Sequence, residues 1–219
     1  MKTKKAVIIL SGGMDSTTLL HDLISKGFDV QAISFDYYQK HSKELNYARK
    51  TCLKLNVPWT RINLQILGAI APSSLTRQDW RVPEGSYTAK RMKQTVVPNR
   101  NMVMLSLATS YALKEKAGYL FYGAHAGDHE IYPDCRESFI HAMSKAISLC
   151  DWHKVQLKAP YAKKTKGDIV RIGKKLGVDY SLTWTCYNGK EKACGKCGSC
   201  RERLEAFNFA NMIDPMEYE

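Results

Sequence analysis

Short apolar runs alternate along this chain with longer stretches in which apolar residues return every three or four positions. The runs are Ala6 to Leu10, Val30 to Phe35, Trp59 to Leu64, Tyr119 to Ala124 and Val155 to Ala159, and their lengths predict strands. The periodic stretches predict helices over 15–26, 42–55, 99–117, 136–149 and 166–176, the last carried by Ile169, Ile172 and Leu176. Gly27, Gly118 and Gly177 each follow one of them, where a C-terminal cap belongs. This alternation predicts an α/β domain with a largely parallel sheet. Two stretches escape it. Residues 66–97 hold two prolines, mixed charges and little periodicity, and are long for a passive connection. A lid, a subunit contact and a plain surface excursion all fit them. From Trp184 the chain is rich in Gly, Cys and Lys until a short helix predicted near 201–211. The division expected is a domain over 1–183 and a tail over 184–219.

Composition narrows the class. Of 219 residues, 44% are apolar and 25% charged, which excludes disorder, collagen-like repeats and coiled coil. At this length folding buries roughly 70% of the unfolded surface, enough for a core without disulfides. Lys and Arg number 33 against 21 Asp and Glu, and the net charge of +12 favours anionic partners: nucleotides, phosphate or nucleic acid. The first apolar run spans five residues, too short for a secretory core or a membrane span, so a cytoplasmic protein is expected. Four of the seven cysteines crowd the last quarter, a pattern that in a reducing compartment favours metal over disulfides.

The most informative residues are Ser11-Gly12-Gly13-Met14-Asp15-Ser16, followed by Thr17 and Thr18, between the first strand and first helix. Adjacent glycines let backbone N–H groups approach a ligand, and the helix aims its positive end at the same spot. The stretch from Leu10 to Leu20, Leu19 included, is therefore the candidate nucleotide-binding segment. A turn using glycine for geometry alone is the alternative, and the hydroxyls on both sides speak against it. The segment is neither a Walker A loop nor Gly-x-Gly-x-x-Gly. A carboxylate beside phosphates is repulsive without a cation, so Asp15 predicts Mg²⁺. Near the other end, Cys194, Cys197 and Cys200 stand three apart, with Cys186 eight positions upstream. Four thiolates predict a closed, structural Zn²⁺ site, with an iron–sulfur cluster as the alternative. Cys52 reads as a core residue, and Cys150 carries no evident role.

Ser-Gly-Gly-Met-Asp-Ser matches the signature of the PP-loop ATP pyrophosphatases in full. That resemblance implies about five parallel strands in a Rossmann-like arrangement of the adenine nucleotide alpha hydrolase kind, and cleavage of ATP between its α- and β-phosphates. Four further segments carry a narrower likeness: Phe35 to His41, Val97 to Asn101, Tyr132 to Arg136 and Cys186 to Gly189. With the loop and the cysteines, they resemble the QueC family of 7-cyano-7-deazaguanine synthases across nearly the whole chain. The resemblance implies an ATP-dependent ligase that converts 7-carboxy-7-deazaguanine and ammonia to the nitrile through an amide. AMP and pyrophosphate leave at two activations, because each step expels an oxygen. A homodimer is implied too, with residues 66–97 as the place to look for the contact, and nucleic acid is not required. The chain departs from the family pattern at Tyr38 and Asn99, where glycine is commoner, and at Lys40, where arginine is. Asn tolerates a left-handed backbone. Tyr38 implies a changed pocket if the backbone there must approach a ligand.

Ser11, Asp15, Ser16, Arg100 and Lys166 are the candidate catalytic residues. Arg100 is placed to neutralise a phosphate or the substrate carboxylate, against the bland reading of a surface arginine. Lys166 best matches the family's lysine and is expected near the α-phosphate; Lys163 and Lys164 read as a solvated face. Gly123 to His129 should leave the fourth strand at the ligand edge, where Gly123 leaves room for a planar base. Asp128 or Asp134 would accept from its N1–H and amine, with Tyr37 and Tyr132 stacked on it. His41, His125 and His129 match no zinc spacing, and base, relay or structural roles stay open. Competing readings are a PP-loop enzyme thiolating a tRNA base with Cys135 as sulfur carrier, a zinc-knuckle nucleic-acid module without catalysis, and a QueC-like paralogue with another substrate.

Overall fold

The computed structural model describes residues 4–85, 88, 92–128 and 131–219. Five parallel strands, β1 (Lys4–Ile9), β2 (Phe28–Asp36), β3 (Trp59–Asn63), β4 (Tyr119–Phe121) and β5 (Gln156–Lys158), lie in the order β3-β2-β1-β4-β5. Each falls on a run expected to be a strand. β1 is central, and Ala6, Val7 and Ile8 are wholly buried, which is why that run is continuously apolar. β3 is an edge strand with one face partly open, and its Thr60, Arg61 and Asn63 fit that position.

Side chains of successive strand residues pack into different layers. Val7, Ile33, Phe35 and Leu120 share a cluster with α4 (Arg100–Lys114) and α5 (Glu137–Leu149). Ala6, Ile8, Val30 and Ala32 share another with α1 (Met14–Ser25), α2 (Glu44–Leu55) and Ile169 of α6 (Lys166–Lys175). Helices therefore cover both faces. Gly27 and Gly177 adopt positive φ just past α1 and α6 as expected, with φ of 73° and 67°. Gly118 does not. Lys116 takes the left-handed position after α4 at φ 54°, so the turn is complete before the glycine is reached. Asn99 precedes α4 at φ 61°, the conformation anticipated for it, and Tyr38 also sits left-handed at φ 66° with its side chain half exposed. The conformational demand at position 38 is thus met by a strained residue that lies outside the lining of the cavity described below.

Residues 66–97 are not featureless. They contain most of the short helix α3 (Gln65–Ile70), and Ser73 to Thr76 are buried. The Lys40 N–H donates to Leu75 O at 2.8 Å and the Ser74 N–H to Gln94 O at 2.8 Å. Further on, Glu84 pairs with Cys197, and the Gly85 N–H donates to Lys196 O at 2.8 Å, so this stretch straps the cysteine region. The last helix, α7 (Gly198–Phe209), begins three residues before the expected Arg201, because Cys197 caps it with an extended backbone and Cys200 lies in its first turn. It packs Ala206 and Phe207 against Val170, Tyr180 and Met14. No helix among the described residues is long and apolar enough to cross a membrane.

One wholly buried cation locks this packing. Arg203 of α7 is fully enclosed and grips Asp214 with Nε and Nη2 at 2.8 Å, while Nη1 donates to Thr183 Oγ1 at 2.8 Å and Nη2 to Tyr180 O at 3.2 Å. Removing one partner of a buried pair leaves the other uncompensated, so Arg203→Ala should cost about 3–5 kcal/mol in urea unfolding.

Candidate active site

The order of strands reverses on either side of β1, and ligands of open α/β sheets bind at the carboxyl end of such a switch point. There the chain turns through Ser11, Gly12 and Gly13 into α1. Gly12 has φ +92°, and a Cβ on it would lie 2.1 Å from the Glu44 carbonyl oxygen, so only glycine lets the turn dock on α2. The Gly13 N–H donates to Ser11 Oγ at 3.1 Å and the Ser11 N–H to Ser16 Oγ at 3.2 Å, with the two hydroxyls 3.0 Å apart. No side chain caps the start of α1, which leaves its first N–H groups available to an anion. Gly123 faces this helix start closely: a Cβ there would sit 3.4 Å from Ser16 N.

A cavity of about 230 Å³ opens from the turn. Among the expected site residues, Leu10, Ser11, Gly13, Met14, Asp15 and Ser16 line it on one side, and Arg100, Lys166, Tyr37, Gly123, Asp128 and Tyr132 elsewhere. Thr17, Thr18, Leu19 and Leu20 lie inside the fold instead. Thr18 Oγ1 is bonded to Met14 O and Tyr180 OH at 2.8 Å, and both leucines are wholly buried in the core. Asp134 is also outside the lining: its Oδ2 accepts the Asn101 N–H at 3.1 Å, steadying the start of α4 that carries Arg100. His129 lies outside the described residues.

The cavity holds two groups of charge. In the first, Lys166 Nζ lies 3.9 Å from Asp15 Oδ2 and is hydrogen-bonded to Glu202 of α7. Burial works against the ammonium charge, but the Glu202, Asp15 and Asp128 carboxylates outweigh it and hold its pKa above the ordinary lysine value. His125 Nδ1 accepts the Gly127 N–H at 3.1 Å, so the ring proton sits on Nε2, 3.3 Å from Asp128 Oδ2 and 3.9 Å from Asp15 Oδ2. Asp15 Oδ1 is buried without a hydrogen-bond partner. An unpartnered hard oxygen beside a second carboxylate fits a divalent cation of the Mg²⁺ type.

The second group surrounds Arg100. Its guanidinium stands 5.9 Å from the Tyr132 ring, and burial is outweighed by Tyr37, Tyr132, Asp134 and Cys135, which keep its pKa raised. Glu44 and His41 lie close by. Burial pushes the Glu44 carboxyl up to about 8, against the pull of Gln39 and Arg100. Burial, aided by Arg100, pushes His41 down to about 3. Sequence reasoning left His41 open and missed Glu44, Tyr187 and Glu202. The motif Phe35 to His41 pointed to this region, but nothing local distinguishes Glu44 or Glu202 from a surface glutamate.

The four cysteines Cys186, Cys194, Cys197 and Cys200 are buried, and their sulfurs lie within 4.8 Å of one another. The Cys194 N–H points to Cys186 Sγ at 3.4 Å and the Cys197 N–H to Cys194 Sγ at 3.3 Å. A tetrahedral metal with sulfur ligands at ~2.3 Å places sulfurs ~3.8 Å apart, and N–H···S bonds disperse thiolate charge, so this donor set fits a metal site. The knuckle closes over the cavity. The Trp184 N–H donates to Gly12 O at 2.9 Å, and Trp184, Thr185 and Tyr187 line the cavity wall.

The family described as Queuosine biosynthesis protein QueC matches residues 5–211. The chain belongs to the QueC family. A 7-cyano-7-deazaguanine synthase of Methanoregula boonei is 63% identical over 215 residues, covering 98% of this chain and 99% of the relative. One of Caldicellulosiruptor saccharolyticus is 61% identical, covering 98% and 96%. Among solved structures, the NMN synthetase of Francisella tularensis superposes with TM-score 0.53 at 14% identity, over 96% of this chain and 85% of that one. A 4-thiouridine synthetase in complex with RNA and ATP gives TM-score 0.54 at 16% identity, over 95% and 50%. These two share the fold. The ATP-dependent chemistry of the QueC family thus meets a cavity in which loop, cations and carboxylates converge.

His41 also contributes to the acid sensitivity of the fold. Its ordinary value is 6.5 and its folded value about 3, so between these pH values the unfolded chain binds a proton that the folded chain excludes. Stability contributed by His41 is therefore present above pH 6.5 and lost as pH falls toward 3. His41→Gln should show a shallower loss of urea stability than the parent chain when pH is lowered from about 6.5 to about 4.

Proposed function

We propose that the chain makes 7-cyano-7-deazaguanine from 7-carboxy-7-deazaguanine, ammonia and ATP, with the cavity beside β1 as its active site. The activity, 7-cyano-7-deazaguanine synthesis in queuosine biosynthesis, follows from membership of the QueC family. The observation that supports the residue roles is the meeting of the Ser11–Ser16 turn with Asp15, Asp128 and Lys166 at one cavity. Ser11, Ser16 and the free N–H groups at the start of α1 hold the β- and γ-phosphates, which leave as pyrophosphate. The apolar part of the cavity, Ile9, Phe35, Met104 and Leu105, suits the adenine. Lys166 stands where charge builds on the α-phosphate. Arg100 orients the substrate carboxylate, with the deazaguanine ring between Tyr37 and Tyr132. Asp15 and Asp128 would hold Mg²⁺, which neutralises phosphate charge when bound.

The chemistry then runs twice. A carboxylate oxygen attacks the α-phosphorus, pyrophosphate departs, and ammonia attacks the acyl carbon to release AMP and form the amide. The amide oxygen attacks a second ATP in the same way as one N–H proton is lost, and departure of AMP with the second N–H proton leaves the nitrile. Glu202 and Asp15 keep Lys166 cationic through both rounds, so this residue stabilises charge rather than moving protons. Thiolation of a tRNA base is less well supported, because burial pushes the Cys135 thiol well up and disfavours the thiolate that a sulfur carrier needs. The four-cysteine site is read as structural Zn²⁺, and the setting as cytoplasmic, where thiols stay reduced. The homodimer implied by the family likeness is supported by Ile66 and Ile70, both largely exposed at the start of the long segment.

Asp15→Asn and Lys166→Gln should each lower substrate-dependent pyrophosphate release by about 10²-fold or more, with the far-ultraviolet dichroism of the parent chain retained. Retained release in both variants would refute the site assignment. One equivalent of zinc per chain should be found by atomic absorption, and its removal by a chelator should lower the thermal unfolding midpoint.

A further inference from the structure

The expected readers of the base, Asp128 and Asp134, are both committed elsewhere. Asp128 belongs to the ion cluster beside the phosphate turn, and Asp134 holds the start of α4. The deazaguanine ring presents three hydrogens along one edge: one on N1 and two on the exocyclic amine. An edge of that kind calls for a carboxylate held among fixed polar neighbours. The cavity has such a set at its Arg100 end. Glu44, at the first position of α2, lines it with its carboxyl almost wholly buried. Its Oε1 accepts from Gln39 Nε2 at 3.3 Å and faces His41 Nε2 at 3.5 Å. Gln39 is itself fixed, its Nε2 also donating to Phe35 O at 3.2 Å and its Oε1 accepting the Tyr37 N–H at 2.9 Å. His41 lines the same end of the cavity, with its Nε2 beside Glu44 and its Nδ1 enclosed in the fold without a hydrogen-bond partner. His41 lies edge-on to Tyr37 at 6.4 Å and tilted against Tyr187 at 5.5 Å, so aromatic surface flanks the acceptors.

Resting on the function proposed above, we infer that Glu44 is the specificity-determining residue for the base. Its carboxylate takes the N1–H and one amine hydrogen, the two that lie side by side on that edge. Arg100, near enough to act on the charge of Glu44 and His41, then faces the carbonyl side of the ring, where the 7-carboxylate also lies. That order points the carboxylate away from Glu44 and toward the phosphate turn. A buried carboxyl in an unfilled site has too few donors, and the ring supplies them. A purine-like ring lacking the exocyclic amine would leave one Glu44 oxygen unpaired in a dry pocket, the situation in which such sites discriminate strongly.

The test is calorimetric titration of the full chain and its E44Q variant with 7-carboxy-7-deazaguanine and with its 2-deamino counterpart, alongside AMP release from each. The parent chain should prefer the amino compound by about 10²-fold, and E44Q should reduce that preference to within about tenfold while the KM for ATP stays unchanged. A parent chain that does not discriminate, or an E44Q variant that discriminates equally well, overturns the assignment to Glu44. In the latter case AMP release and nitrile formation by the parent chain still uphold the synthase reading. Conversely, discrimination lost in E44Q without nitrile formation by the parent chain supports Glu44 as the base reader and counts against the reaction. Should E44Q fail to fold, E44D replaces it. Drawing the carboxylate back by one methylene should lower the preference at least about tenfold, and an unchanged ratio overturns the inference.

Discussion

Everything at this site hangs on the close approach of backbone to backbone at Gly12. The turn after β1 has to leave the N–H groups of α1 open to phosphate while its outer side lies directly on the start of α2, with room for no side chain between. The same residue offers its carbonyl to Trp184, so three distant parts of the chain converge on one peptide unit. An anion site built from backbone is only as rigid as the packing behind it. Here the packing consists of α2 on one side and the cysteine knuckle on the other.

That convergence explains why the cavity can hold so many ionisable groups. Lys166 with Glu202 and Asp15 forms one compensated set, and Arg100, beside the Tyr132 ring, has the Asp134 carboxylate acting on it. The net charge of the chain, +12, is therefore a poor guide to the cavity itself, where Lys166 lies among the carboxylates of Glu202, Asp15 and Asp128.

The strands and most helices were legible because their periodicity reflects burial on two sheet faces, a property that local sequence carries. The turn and the cysteines were legible because their chemistry demands a spacing. Less could be read where contacts cross the chain. The strap over 66–97 has no period because backbone bonds to Lys40 and Lys196 hold it, and those partners are far away in sequence. Arg203 and Glu202 look like solvent residues on a polar helix until α7 is seen packed against Tyr180 and Lys166. Gly118 looked like a cap because glycine often is one, yet Lys116 closed the turn first. Tyr38 shows the reverse: the left-handed backbone is kept although the glycine that suits it is not.

The contribution of α7 bears on the order in which the molecule is made. The sheet is complete by Lys158, but Glu202 does not meet Lys166, nor Arg203 find Asp214, until the last residues have been synthesised. A nascent chain on the ribosome can thus assemble its Rossmann-like body well before it has a working pocket. Premature termination before Glu202 would yield a protein with a recognisable sheet but without the carboxylate that is bonded to Lys166.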